Sequence, residues 1–304
     1  MYLSIQENSW YNTAVISPRL IFVAIVWGIN FAFVKFALHD FTPLSFTIVR
    51  FSLAALFLVS VMLINREPFS MDRRDVTSVI ALGVIGITLY NLLFMYGLNY
   101  TTASNSSLFI SSSPLFAVLL LALSDKARVS TLVIAGLLCS SIGVLLIIGS
   151  KPGGVLISPH AVTGDLLTLC AALFWALYTV RARPLLERYS AVKVTAYSMA
   201  SGTVMLLPLG AFDLLHQSWG SISFPAWAAL AFSAIVSGGI AFTLWYDGVK
   251  KLGVARTSVY HYIVPFVAVA FAALFLGERI TFTQVLGGVL TLTGVYLVQR
   301  RNAS

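Results

Sequence analysis

The chain has very little charge. Asp, Glu, Lys and Arg make up 10% of its 304 residues, hydrophobic residues make up 59%, and mean hydropathy is +0.91. A soluble domain carries about 25% charged residues, so this sequence cannot cover an aqueous surface and must face lipid. Acidic residues are the scarcer sign, 11 against 19 Lys and Arg, which leaves a net charge of +8. The basic residues form no Lys/Arg-rich domain or basic helix but sit in short clusters between apolar runs, so a nucleic-acid partner is excluded. There are only two cysteines, Cys139 and Cys170, both inside apolar segments with no His or carboxylate nearby. That excludes a disulfide framework and a zinc site, and no metal or cofactor is expected. HExxH, GxSxG and paired carboxylates at membrane depth are all missing, so a membrane-embedded enzyme lacks its chemistry. No Asp or Glu falls at mid-span, which excludes a carboxylate proton relay.

What is present is a series of apolar runs. A spanning helix needs about 20 mostly apolar residues. Ten runs qualify, over 18–38, 44–64, 76–97, 104–124, 130–149, 164–183, 191–212, 224–246, 254–276 and 281–299. The first 17 residues are polar to mixed, and no small-residue cleavage site follows the first run, which therefore reads as a retained helix. With the N-terminus in the cytoplasm, only Lys151 and Arg279 fall outside, and Lys35 and Arg50 lie within spans. Every other Lys and Arg, among them Arg73 and Lys251, falls on the inner side. This bias predicts a multi-pass protein of the cell (inner) membrane with both termini cytoplasmic.

The sequence also repeats. A shift of 151 residues lays the third to fifth spans on the eighth to tenth: Gly97 meets Gly248, Ser107 meets Ser258, Pro114 meets Pro265, and Gly143 meets Gly294. A shift of 148 brings Trp27 onto Trp175 and Lys35 onto Arg183. The chain thus reads as two five-helix units, near 1–150 and 160–304. Five is odd, so the second unit enters the membrane with opposite orientation. The expected fold is an all-α membrane protein of ten transmembrane helices, two inverted repeats around a central cavity, an architecture suited to alternating access.

Trp27-Gly28-Ile29-Asn30-Phe31, then Lys35, Pro43 and Arg50, resembles the opening of EamA-type transporters of the drug/metabolite transporter superfamily. Gly164-Asp165-Leu166-Leu167 leading to Phe174-Trp175-Ala176-Leu177-Tyr178 resembles the start of that family's second repeat. Leu276-Gly277-Glu278-Arg279-Ile280-Thr281, with Gln284, Gly287 and Gly294, resembles its closing helices. The likeness covers nearly the whole chain. It implies a ten-helix bundle that exports amino acids or other small metabolites. Eukaryotic relatives carry nucleotide sugars and sugar phosphates. One motif departs: the family's Gly-Glu turn is matched in the first half by Ser124-Asp125-Lys126-Ala127, so Glu278 has no counterpart and reads as a local cap or pair.

Pro114 frees the carbonyl of Ile110 and Pro265 that of His261, at matching mid-span positions. Interrupted helices in corresponding places of two halves point to a transporter site. The turns before them supply Ser107 and Ser111 in one half and Tyr260 and His261 in the other. His261 is the only histidine inside a span. Trp27, Asn30 and Phe31 share a helix face, as do Trp175 and Tyr178, while Tyr90, Asn91 and Trp245 mark two further spans. These twelve residues are the candidate substrate-binding set. Lys35, Arg50, Pro114 and Pro265 are assigned to gating or structure, the two cations because both lie toward outer span ends. Gly136, Ser140 and Gly143, with Gly287, Thr291 and Gly294, form small-residue stripes that predict close packing of the fifth and tenth spans or contact with a second subunit. A monomer or a homodimer fits.

A neutral cavity of hydroxyls, amides and rings suggests a small-molecule solute such as an amino acid, moved by alternating access. A sugar-phosphate or nucleotide-sugar antiporter would want mid-span cationic clamps. A membrane-embedded receptor or enzyme makes no use of the inverted repeat.

Overall fold

The computed structural model describes residues 17–124 and 159–300, together with Ala135, Gly136, Leu138, Cys139, Ile142, Gly143 and Leu146. The polar N-terminal segment, the Asp125-Lys126-Ala127 turn and most of the fifth predicted span lie outside the described residues.

Among the described residues, eight helices are long and apolar enough to cross a membrane: α1 (Pro18–Ala37), α2 (Pro43–Ile64), α3 (Arg73–Tyr100), α4 (Ala103–Leu121), α5 (His160–Arg188), α6 (Ala191–His216), α7 (Phe224–Leu252) and α8 (Arg256–Leu276). A further helix, α9 (Phe282–Arg300), corresponds to the tenth predicted span, and its apolar part covers Phe282–Gly294. The protein is an all-helical, multi-pass membrane protein. The helices exceed the predicted runs at several ends because polar terminal turns continue the backbone hydrogen bonding beyond the apolar window.

Local chemistry sets the helix starts. Thr42, Thr102, Ser190 and Ser223 are N-caps whose hydroxyls accept from Ser45, Asn105, Lys193 and Ala226 N–H. Pro43 and Pro225 occupy first-turn positions where no N–H is needed. Thr281 and Gln284 form a reciprocal capping box at the start of α9: Thr281 N–H donates to Gln284 Oε1 at 2.8 Å, and Gln284 N–H donates to Thr281 Oγ1 at 3.2 Å.

Two helices contain π-helical stretches. Val84–Leu89 in α3 and Phe232–Ala241 in α7 are π-helical. A shift of 151 places the first stretch inside the second. Two others are broken where their prolines predict. α4 interrupts at Ser111-Ser112, and α8 tightens into a 3-10 turn over Val259–Tyr262.

Packing follows an exchange pattern. α2 lies against α6, and α4 lies against α8. α1 packs on α7 and α8, while α5 packs on α3 and α4. Close approach is built in where α3 meets α5: a Cβ on Gly97 would come within 2.5 Å of Thr168 Oγ1, and one on Gly164 within 2.8 Å of Gly97 O. Fully buried Asp165 accepts from Thr101 Oγ1 at 2.5 Å, tying the same pair of helices at one end. The small-residue stripe acts as expected at its described positions. Cys139 donates to Leu290 O at 3.4 Å, and a Cβ on Gly143 would meet Gly287 O and Thr291 Oγ1 at 2.5 Å. Leu215, Phe224, Leu274 and Phe282 stay largely exposed, as lipid-facing side chains do.

Polar ties cluster at the helix ends. Arg188 donates to both Asp75 oxygens at 2.9 and 3.0 Å, and Ser190 donates to Glu67 at 2.5 Å. Lys193 donates to Pro68 O at 2.7 Å and also to Ser70 O. Lys251 pairs with Asp247 at 2.7 Å, one helical turn away. In the α1–α2 connection, Asp40 accepts from the Ser223 hydroxyl and N–H at 2.6 and 2.9 Å, which holds its carboxyl below the usual carboxylate range.

Candidate functional site

A cavity of about 40 Å³ lies at the centre of the bundle, lined from both sequence halves. The candidates Trp27, Asn30, Phe31, Tyr90, Asn91, Trp175 and His261 face it. So do Arg50, Phe94, Ile110, Ser237, Phe242 and Val264. Pockets that hold small solutes measure about 300–1,000 Å³, so the site is contracted around a space for a few waters.

An aromatic cluster forms one wall. Trp27 meets Trp175 edge-on at 5.2 Å and Phe242 at 5.5 Å. The His261 imidazole stacks on Trp175 at 5.7 Å and lies 5.0 Å from Trp245. Its Nδ1 is 3.0 Å from Ser113 Oγ, a hydrogen bond whose direction follows the imidazole tautomer. Ser113 belongs to the α4 break and His261 to the α8 break, so this bond joins the two interrupted turns.

The π-helical stretches supply the polar wall. A π-turn leaves carbonyls without their usual partners, and cavity side chains take them up. Asn91 Nδ2 donates to Gly86 O at 3.2 Å and Ile87 O at 3.0 Å. Arg50 Nε donates to Ser233 O at 3.2 Å, and Trp27 Nε1 donates to Ser237 O at 3.3 Å. Four buried oxygens in this region have no hydrogen-bond partner among the described residues: Asn30 Oδ1, Asn91 Oδ1, Ser233 Oγ and Ser237 Oγ.

Five candidates do not line the cavity. Ser107 donates to Ser104 O at 2.7 Å and Ser111 to Ser107 O at 2.8 Å, so both hydroxyls serve the backbone of α4. Tyr178 turns toward α6, its hydroxyl 2.9 Å from Ser198 Oγ, in space left by Gly86, whose Cβ would come 2.1 Å from the ring. Trp245 backs the aromatic cluster from a fully buried position. Tyr260 is carried by the 3-10 turn to the start of α1, where its hydroxyl accepts from Ser17 N–H at 2.9 Å.

The two cations part company. Lys35 lies at an end of its helix as expected, donating to Leu98 O and Asn99 O at 2.7 and 2.9 Å, the last carbonyls of α3. Arg50 does not. It is 4% exposed, its guanidinium sits 4.7 Å over the Phe51 ring, and it faces the cavity. Its position about two turns inside α2 shows in the sequence; its inward direction does not. Pro114 is buried and outside the lining. Pro265 borders a second recess of about 280 Å³ between α4, α8 and α9, whose only polar residues, Ser104 and Gln284, are already engaged. Of the two recesses, the central cavity is the one lined by unpartnered polar atoms, Asn30 Oδ1, Asn91 Oδ1 and Ser237 Oγ. Among the described residues, no group of three His, Cys, Asp or Glu could hold a metal ion.

Glu278 bridges the halves. Gly277 ends α8 in the left-handed conformation, φ +64°, and this turn aims the next side chain at α4. The Glu278 carboxylate accepts from Ala103 N–H at 2.8 Å, Ser104 N–H at 3.1 Å and the Ser104 hydroxyl at 2.6 Å.

The model of the EamA-like transporter family matches residues 19–149 and again 162–300. The chain belongs to that family. It is 30% identical over 275 residues to the uncharacterized transporter YyaM of Bacillus subtilis, covering 90% of this chain and 89% of that one. A probable terminal-alkyne amino-acid exporter of Streptantibioticus cattleyicolor is 29% identical, with 93% of this chain and 92% of the relative covered. A probable amino-acid metabolite efflux pump of Escherichia coli is 27% identical, with 90% and 91% covered. The fold also matches a solved crystal structure with a TM-score of 0.67 at 20% identity, over 94% of this chain and 98% of that one. This EamA-like chain is thus a membrane transporter with exporters of small metabolites among its relatives.

Proposed function

We propose that the chain is an alternating-access exporter of small organic metabolites such as amino acids. Two inverted five-helix repeats, near 1–150 and 160–304, enclose one shared site in the inner membrane, with both termini cytoplasmic. The observation that carries this reading is the central cavity itself. Asn30, Arg50 and Asn91 come from the first half, and Trp175, Ser237 and His261 from the second. A site divided between two units gains access to either side when the units rock against each other. At about 40 Å³ the site is smaller than such a solute needs, so it must widen to admit one.

The repeat is supported by the exchange pattern of helix contacts, the paired π-stretches, the paired breaks at Pro114 and Pro265, and the double match of the family model. Export and the amino-acid class follow the two relatives described above, a probable amino-acid exporter and a probable amino-acid metabolite efflux pump. The substrate-binding role falls to the candidates that face the cavity, with His261 and Asn30 foremost. Lys35 and the prolines keep a gating or structural role.

The test is efflux from proteoliposomes loaded with a panel of amino acids. Flux for at least one, dependent on His261, is expected. No flux for any solute from correctly folded protein would refute transport. Single-cysteine labelling at positions 73 and 251 should find both on the cytoplasmic side; opposite sides would break the inverted-repeat topology.

A further inference from the structure

Among the described residues, Arg50 is the one charged residue on the cavity wall. Its only hydrogen bond there is the Nε donation to Ser233 O, and no described carboxylate pairs with it. A buried cation is normally paired or fully hydrogen-bonded, because removing it from water costs several kcal/mol. Contact with the Phe51 face and one carbonyl offsets part of that. The fork of the guanidinium matches a carboxylate in two parallel hydrogen bonds. Inside a membrane, an ionisable residue of this kind needs a named partner, and the described residues supply none.

The same cavity holds the complementary feature. Asn91 Nδ2 is fixed on Gly86 O and Ile87 O, so its Oδ1 is the free end of the amide, buried and accepting nothing. Asn30 Oδ1 is also buried and accepts nothing. Two bare carbonyl oxygens are suited to an ammonium group, which has three donors and no acceptor. The rings of Trp27, Trp175 and Phe242 give the same cavity its apolar surface.

We propose that Arg50 is a specificity-determining residue that binds the carboxylate of a zwitterionic solute, with Asn30 and Asn91 Oδ1 accepting from its ammonium group. The assignment rests on the transport reading for its biological setting, but not for its test. A single guanidinium and two acceptor oxygens in one cavity suit a carboxylate with a nearby ammonium better than a phosphate dianion, which the acceptors would repel.

The experiment uses the full-length protein in detergent and in proteoliposomes. Its probes are L-phenylalanine, L-phenylalaninamide and 2-phenylethylamine, the matching leucine series, and glucose 6-phosphate. Melting-temperature shifts report binding independently of flux. The two acids are expected to raise the melting temperature and to move across the bilayer. The amides and amines, which lack the carboxylate, should bind about ten- to a hundredfold more weakly. Arg50→Gln should retain unliganded melting, since it removes a buried unpaired charge, and should lose the preference for acid over amide. Arg50→Lys, a point charge without the fork, should recover part of it. Equal binding of acid, amide and amine by the unaltered protein would overturn the proposal whether or not the variants fold. So would glucose 6-phosphate binding in place of the acids. Acid-selective binding without flux would leave Arg50's role standing and refute transport. Flux of amines and amides equal to that of acids would refute Arg50's role and leave transport standing.

Discussion

α4 and α8 carry the same break at matching places and use it differently. In α4, beside the interruption at Ser111-Ser112, the Ser107 and Ser111 hydroxyls turn back onto carbonyls of their own helix. In α8 the 3-10 turn over Val259–Tyr262 turns His261 into the central cavity and Tyr260 to the start of α1. A proline creates an opportunity in both, but only the neighbouring side chains decide whether the freed polarity stabilises the helix or faces a solute. The two breaks also meet at the His261–Ser113 contact of 3.0 Å.

The contrast is breakable in stages. His261→Ala should have the largest effect. It removes a buried ring stacked on Trp175 and empties one wall, costing about 2–4 kcal/mol of stability by analogy with other large-to-small changes and most of the flux. Thermal unfolding in detergent beside efflux separates the two losses, and flux intact with His261 gone would place the solute elsewhere. Gly253→Ala, just before α8, comes next. Gly253 has φ +83°, where a Cβ is strained by about 1–3 kcal/mol, read as a drop in melting temperature. Glu278→Gln should cost about 1–2 kcal/mol by weakening the charged cap on α4. An unchanged melting temperature would mean that the cap is not formed in the membrane. Ser111→Ala should be smallest, under about 1 kcal/mol, with flux unaltered, because Ser107 O still accepts from Ser111 N–H at 3.1 Å. A large flux loss there would erase the distinction between the two helices.

The sequence announces the spans and prolines because an apolar run of membrane length and a mid-span Pro each have one physical meaning. Most of the fifth span falls outside the described residues, so ten helices remain a proposal. Direction around each helix is harder to read. In lipid both the inner and the outer faces are apolar, so the periodicity that orients a soluble helix is nearly flat. Hence Ser107 and Ser111 look like cavity residues when they are not, and Arg50 looks peripheral when it is central. The π-stretches leave no sequence signal beyond glycines such as Gly86, Gly238 and Gly239, yet they expose the carbonyls that Asn91, Arg50 and Trp27 hold. Glu278 reads in the sequence as a local cap or pair, whereas the groups it caps lie 174 and 175 positions away, beyond the reach of local spacing.

That long reach has a mechanical consequence. The carboxylate belongs to the turn after α8, and the N–H groups it covers begin α4. Any movement that pulls these two elements apart strands an anion on one side and bare amide donors on the other. Separation at this seam therefore needs water, or a replacement acceptor, to arrive in the same step. On this reasoning the seam is a catch that releases when wetted.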